Sequence, residues 1–518
     1  GCVAAAAAEP PALARGRALY HGDPPLPLAQ GRGPALQACV GCHRPSGLGN
    51  FEGGLAVPPI AGPTLFKPLD RDTARFFPAN VRYRIRPAYD ETSLARLLRT
   101  GITPDGVTLH AAMPRLRISD AQVADLVAYL HELSAAPSPG LTRDEVALAT
   151  ISTPDADPQR RDAMLTTLAK FIAQKNGQSR HEAQRSAQSS RTREMAMYTK
   201  FRIWHLEHWA LQGAPETWAA QLAERQAARP VFAVVGGIGR ADWAPVDAFC
   251  ERARLPCLLP LVEAGAGVAA PGFYGLHYHA GIDADAALAA RVLRERGVTR
   301  VQLWREAAAH ALHTRVAAAL RSAGLVVVEG SADVDAHGRT HALDHTAVVA
   351  EADGADPQAI VSLLAPAAHA DRLNAARGLP VMWLAGTHAL GQAELAAALR
   401  GQAEGWIVTP MRTGAELDRQ LQRARIWMRQ QGLQDLPADV VASTLQAATV
   451  MGEGLAHMDF GFTREYLLEL LEHSLENVIP WSPYPRLAIG PEQRIASRRS
   501  QLGEVRNGAI AWRSEAVP

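Results

Sequence analysis

Two cysteines two residues apart with a histidine directly after them, Cys39-Val40-Gly41-Cys42-His43, constrain the amino-terminal region of this chain more than any other feature. Two thiols at that spacing reach the two vinyl groups of a haem, and the adjacent imidazole is placed for the iron. The competing chemistries ask for more. A zinc site needs a second Cys or His pair at ligand spacing, and none follows. A thioredoxin-like redox pair would sit after a strand in an α/β pattern, whereas this motif follows a helix-like stretch. The motif predicts one covalent haem c on Cys39 and Cys42, with His43 as an iron ligand.

The flanking residues read as helix and extended loop. Leu13–Tyr20 forms a short helical stretch in which Gly16 permits close crossing by another helix and Tyr20 supplies an aromatic contact. Val57-Pro58-Pro59-Ile60-Ala61-Gly62-Pro63 is a stiff extended loop. Further on, Leu109-His110-Ala111-Ala112-Met113-Pro114 precedes a Ser119-Asp120 helix start, with Val123, Leu126, Val127 and Leu130 at helical spacing. Across its whole length this stretch resembles class I cytochromes c. The resemblance implies that Met113, the methionine before a proline, is the sixth iron ligand. It also implies that the last helix, carrying Tyr129 and Leu130, crosses the first. His110 and His131 are the rivals for the sixth position, and the Met-Pro context favours Met113. Iron held by His and Met has no open coordination position and a fairly positive potential. Such a site carries electrons to or from a redox partner protein, a dehydrogenase or an oxidase, and is not an enzyme site.

A run of small and breaker residues, Ser134-Ala135-Ala136-Pro137-Ser138-Pro139-Gly140, then marks a linker. The expected layout is a tether over 1–11, the all-α cytochrome c domain over 12–135, the linker over 136–142 and a second domain over 143–518. In the second domain apolar runs such as 146–151, 201–206, 231–235, 257–260, 299–304, 325–329 and 379–384 alternate with helical segments. Short apolar strands between helices predict parallel sheets covered on both faces. From Pro230 to Pro260 the order is strand, Gly236-Gly237-Ile238-Gly239, helix, then a strand through Cys257. This order resembles type I periplasmic solute-binding proteins, the branched-chain amino acid group of ATP-driven importers. The resemblance implies a two-lobed α/β domain that closes on a small molecule, with Gly237, Ile238 and Gly239 contributing backbone donors. The other reading of that loop is a plain tight turn. It is neither a dinucleotide fingerprint nor a phosphate loop, since it lacks the later glycine and the Gly-Lys-Ser/Thr. Trp243, Tyr278 and Trp304 are further pocket candidates, each weighed against packing. His277 and His279 are two metal-capable groups without a third. Residues 236–243 lack the small hydroxyls that amino acid sites of that family use, which points to a different solute or to none.

The 53 basic and 52 acidic residues balance, giving no reason to expect nucleic acid as a partner. Cys250 and Cys257, seven apart across a helix end and a turn, are a candidate disulfide in an exported protein. Gly1-Cys2 resembles the end of a lipoprotein signal, making Cys2 a lipidation candidate and the sole expected membrane link. The sequence therefore predicts a periplasmic or exported haem c electron carrier fused to a small-molecule-binding or partner-docking domain. The alternatives are a solute receptor of an ABC importer carrying a cytochrome module, and a scaffold with a degenerate ligand site.

Overall fold

The structure is a computed structural model and describes residues 10–29, 38–52, 55–70, 85–142, 144–188, 202–240, 242–263, 272–305, 310–329, 356–366, 369, 373, 378–400, 404–458, 461–507 and 509–516. Cys2 lies outside the described residues. The chain divides into two compact units, residues 1–142 with 456–470, and residues 143–455 with 471–518. Residues 456–470, expected as part of 143–518, group with 1–142, and hydrogen bonds to the 138–139 turn tie them there. Ser138 N–H donates to Phe462 O at 2.8 Å, Arg464 N–H donates to Ser138 Oγ at 3.1 Å, and the Arg464 guanidinium donates to Pro139 O at 3.2 Å.

Among the described residues of the first unit the helices include α1 (Pro11–His21), α2 (Cys39–His43), α3 (Gly62–Leu65), α4 (Glu91–Thr100) and α5 (Asp120–Glu132), and the first turns of the Arg464–Ser474 helix. The unit also contains an antiparallel pair, β1 (Asn50–Glu52) and β2 (Leu55–Val57). Local chemistry sets the helix ends. α1 begins with Pro11 and stops at Gly22 in the left-handed conformation. Asp90 with Ser93, and Ser119 with Gln122, form reciprocal capping boxes that start α4 and α5. The buried core joins Leu19 and Tyr20 of α1, Leu94, Leu97 and Leu98 of α4, and Val123, Leu126 and Leu130 of α5.

α1 and α5 approach closely at Gly16. A Cβ there would lie 2.0 Å from Asp125 O and 2.8 Å from Tyr129 Cβ. The crossing is reinforced by a two-pronged Arg15–Asp125 pair at 2.7 and 2.8 Å and by the Tyr20 and Tyr129 rings, 5.3 Å apart. Because the obstructing atom is backbone, relief requires the helices to separate. Gly16→Ala is therefore expected to destabilise the first unit by about 3 kcal/mol, at the upper end of ordinary overpacking. Thermal unfolding of the variant checks this; an unchanged melting temperature would show that the helices can part cheaply.

The second unit contains two sheets. The first is built from β3 (Glu145–Ser152), β4 (Ile203–Ala210), β5 (Ala233–Val235), β6 (Ile238–Gly239), β7 (Cys257–Leu258), β8 (Leu261–Val262), β9 (Gly275–His279) and β15 (Ile495–Ser497). Its order is β15-β9-β7-β5-β3, with β4 and β6 both beside β3 and β8 beside β6, and every pair is parallel. The second comprises β10 (Arg300–Trp304), β11 (Val326–Glu329), β12 (Ala359–Ser362), β13 (Val381–Leu384), β14 (Glu404–Thr409), β16 (Arg499–Arg506) and β17 (Ala509–Ala516). Its order is β11-β10-β12-β13-β14-β16-β17, parallel as far as β14 and antiparallel beyond it. That terminal antiparallel ribbon is an addition to the expected parallel pattern. Only Arg498 separates β15 in one sheet from β16 in the other.

The helix after β3 runs from Pro158 to Gln188. Asn176 explains the continuation past an unpromising Asn-Gly pair: its side chain accepts from Trp204 N–H at 2.8 Å and donates to Trp204 O at 3.0 Å, tying the helix to β4. Cys250, on the Ala244–Arg252 helix, and Cys257 of β7 form a disulfide, with Cα atoms 6.3 Å apart.

Candidate functional site

Helix α2 presents Cys39, Cys42 and His43 to a cavity of about 370 Å³ in the first unit, a volume within the range of small-molecule and cofactor sites. Met113 borders the same cavity, and Ile60, Leu65, Leu97, Leu109 and Leu116 supply much of its apolar wall. The His43 ring is buried, with Nδ1 3.0 Å from Pro58 O. A carbonyl only accepts, so Nδ1 carries the proton and Nε2 keeps its lone pair. Burial lowers the His43 pKa to about 4, which keeps the ring in the neutral, ligating form. Burial also pushes the Cys39 thiol up to about 11. The residue after the motif is anchored by Tyr20, whose hydroxyl donates to Arg44 O at 2.6 Å.

The Met113 loop is fixed by a neighbouring cation. The Arg115 guanidinium donates to Leu109 O at 2.9 Å and to Met113 O. Met113 N–H donates to His110 O at 3.1 Å, and Leu116 N–H to Leu98 O at 2.8 Å. Gly101 makes room for this arginine: a Cβ there would lie 2.0 Å from the guanidinium carbon, and its φ of +79° suits glycine. His110 also borders the cavity but is exposed, and its Nδ1 accepts from Ala112 N–H at 3.2 Å. His131 is exposed and stacks on Phe66 with ring centres 3.7 Å apart, away from the cavity lining. On the polar part of the wall, Arg86 lies over Tyr89 at 4.8 Å and donates to Thr64 O and Pro87 O at 2.9 Å. Two thiols, a neutral imidazole and a thioether around one apolar cavity are a donor set that fits haem c.

In the second unit the glycine loop follows β5. The carbonyls of Gly237 and Ile238 accept from Leu261 and Thr153 N–H at 2.7 and 3.0 Å. A Cβ on Gly237, whose φ is +127°, would lie 2.8 Å from Trp243. Trp243 is thus packed beneath the loop and almost fully buried. Tyr278 is also buried, donates to Ser443 O at 2.5 Å and stacks on Tyr484 at 4.9 Å. Trp304, at the end of β10, is partly buried against Ile360, Leu373 and Val381. His277 pairs with Asp247 at 2.9 Å, and His279 Nδ1 accepts from Gly281 N–H at 2.9 Å.

Sequence reasoning passed over a charged group at the carboxyl ends of the first sheet's strands. Thr153 donates to Asp155 at 2.5 Å, Asp155 accepts from Arg240 N–H at 3.3 Å, and Arg240 pairs with Glu263 at 3.3 Å. Arg160 pairs with Asp439 at 2.9 Å. The electrostatic effects of Arg160, Asp439 and Glu263 all reach the buried Tyr484, whose pKa burial raises far above 10. Open α/β sheets bind ligands at such strand ends. The available signal was position alone, since each residue follows a strand or begins a helix.

Comparison with known proteins gives two family matches. The family described as periplasmic binding protein matches residues 211–509, and cytochrome c matches residues 14–134. No curated protein matches the chain. Solved structures similar to it include an ABC transporter substrate-binding protein from Sphaerobacter thermophilus, at 16% identity and TM-score 0.45, covering 72% of this chain and 97% of that one. A substrate-binding periplasmic protein from Ralstonia solanacearum shows 17% identity and TM-score 0.44, covering 72% and 100%. A fatty acid ABC transporter substrate-binding protein from Thermomonospora curvata shows 15% identity and TM-score 0.44, covering 74% and 94%. The chain belongs to the periplasmic binding protein family and carries a cytochrome c domain ahead of its solute-binding-protein-like domain.

Proposed function

We propose that the protein is an exported electron carrier holding one covalent haem c, with an α/β domain that binds a small molecule or docks a partner. The observation that carries the first part is the cavity bordered by Cys39, Cys42, His43 and Met113. When bound, the haem supplies one-electron redox chemistry. The chain's own residues do the rest. The two thiols take the covalent attachment, the Pro58 carbonyl fixes the His43 tautomer, and Arg115 steadies the Met113 loop. The apolar wall limits water, which favours the less charged ferrous state. Among the described residues no helix is long and apolar enough to cross a membrane. Export agrees with the Cys250–Cys257 disulfide, and Cys2 remains the proposed lipid anchor.

The test is production of the full chain in a host with haem c maturation. One haem per chain that survives denaturation and solvent extraction is expected, and none in a Cys39→Ser/Cys42→Ser variant. Haem that washes out of the parent protein would overturn this reading.

For the second domain, membership of the periplasmic binding protein family supports a small-molecule ligand, and the Arg240–Glu263 and Arg160–Asp439 pairs favour a polar one. A thermal-shift screen of amino acids, short carboxylates, amines and aromatic acids on oxidised and reduced protein reads this directly. Stabilisation by one solute supports a receptor cleft; none in either redox state leaves a partner-docking scaffold. An electron carrier that docks electrostatically should also exchange electrons more slowly as salt rises.

A further inference from the structure

Ser46 lies three residues beyond His43 and is almost fully buried, as is Glu469, which the chain brings to it from the 456–470 segment of the first unit. Ser46 N–H donates to Glu469 Oε1 at 2.7 Å and Ser46 Oγ donates to Oε2 at 2.6 Å. Two short donors, one on each oxygen, favour the ionised carboxylate. The carbonyl of Ser46 accepts in turn from Ser134 Oγ at 2.7 Å. The loop so held is continuous with the iron-ligand region. Gly49 N–H donates to His43 O at 3.3 Å, and Gly47 O accepts from Ile60 and Ala61 N–H at 2.8 and 3.1 Å. Those two residues follow closely on Pro58, whose carbonyl orients the His43 ring. The charge of Glu469 reaches this region too: it raises the pKa of buried Tyr20, after the larger effect of burial, while Arg44 lowers it.

A cytochrome c domain does not need a carboxylate delivered from more than 400 positions away merely to close a turn, because Ser134 and the Gly47 bonds already do that. We propose that Glu469 tunes the haem site through its charge: the buried carboxylate, held by Ser46, lowers the reduction potential of the haem on Cys39 and Cys42. The inference rests on the haem reading above. Ferric haem carries one more positive charge than ferrous haem, so a fixed anion in a poorly solvated region favours the ferric form. Arg44, also buried, acts on Tyr20 in the opposite sense.

The experiment is redox titration of haem-loaded Glu469→Gln, which keeps the side-chain shape and removes the charge. The one-electron equilibrium with a fixed donor should shift about tenfold toward the reduced form, or about 59 mV upward. Ser46→Ala, which removes the Oγ bond to Glu469 and the one from Leu48 N–H and leaves the charge, should shift it by a smaller factor. If Glu469→Gln does not fold, the double variant Ser46→Ala/Glu469→Met, which removes the charge together with its side-chain donor, is titrated in its place and should raise the potential by a similar factor. A Glu469→Gln potential equal to that of the parent overturns the proposal, and so does an equal shift from Ser46→Ala, which would assign the effect to loop position and not to charge. Failure of the underlying haem reading is seen separately, as absence of extraction-resistant haem in the parent protein before any titration.

Discussion

Replacing Met113 by alanine is expected to lower the reduction potential of the haem-loaded protein by about 120 mV or more, a hundredfold change in a one-electron equilibrium. A thioether stabilises ferrous iron, and its loss leaves water or a harder ligand in its place. The substitution should spare the loop, because the loop's bonds run through backbone atoms and Arg115. Leu109 O and Met113 O would still accept from the guanidinium, and Leu116 N–H would still reach Leu98 O. Arg115→Leu should act in the same direction by a smaller factor, since it releases the loop without removing the sulfur. Potentiometry with optical detection separates the readings. If Met113→Ala keeps both the parent potential and the low-spin spectrum, His110, which also borders the cavity, becomes the ligand to test by the same substitution.

The two regions were legible to different depths, and the reasons are local. The Cys39–His43 motif carries its chemistry in five consecutive residues, so it can be read without knowing the fold. Gly16 announced a close helix crossing because only backbone approach explains a glycine within that helical run, and Asp125 O stands where a Cβ would be. Helix starts at Asp90 and Ser119 are equally local, each set by a side chain three residues from its partner. Sheet order is a different matter. β3 pairs with strands from three later points in the chain, β4, β5 and β6, while β15 joins the same sheet only through β9, β7 and β5, and apolar runs alone do not rank such partners. The charged group of Asp155, Arg240, Glu263, Arg160 and Asp439 was invisible for the same reason: its members are spread from 155 to 439 and meet only once strand order is set. Glu469 is the extreme case. Nothing in Tyr466-Leu467-Leu468-Glu469 distinguishes it from any amphipathic helix until Ser46 is placed against it.

Asp285→Asn is expected to change how the second unit responds to pH. Asp285 sits in the first turn of the Ile282–Glu295 helix and is almost wholly buried. One oxygen accepts from Ser500 Oγ at 2.5 Å; the other has no hydrogen-bond partner among the described residues. Burial raises its pKa from 3.8 to about 7, against a smaller lowering by the Ser500 bond. An acid whose folded pKa lies above its unfolded value takes up a proton on folding. Below about pH 3.8 both states are protonated and the group costs nothing. Between 3.8 and 7 the unfolded chain releases the proton and the folded one retains it, so stability falls as pH rises. Above 7 the buried carboxylate is charged and the full penalty applies, on the order of 4 kcal/mol. Asparagine has nearly the same shape and never ionises. The variant should match the parent near pH 4 and exceed it progressively toward pH 8, with chemical denaturation at several pH values as the measurement. Parallel profiles for the two proteins would show that Asp285 is charged in the folded state throughout, with a compensating cation or water supplying what Ser500 alone does not.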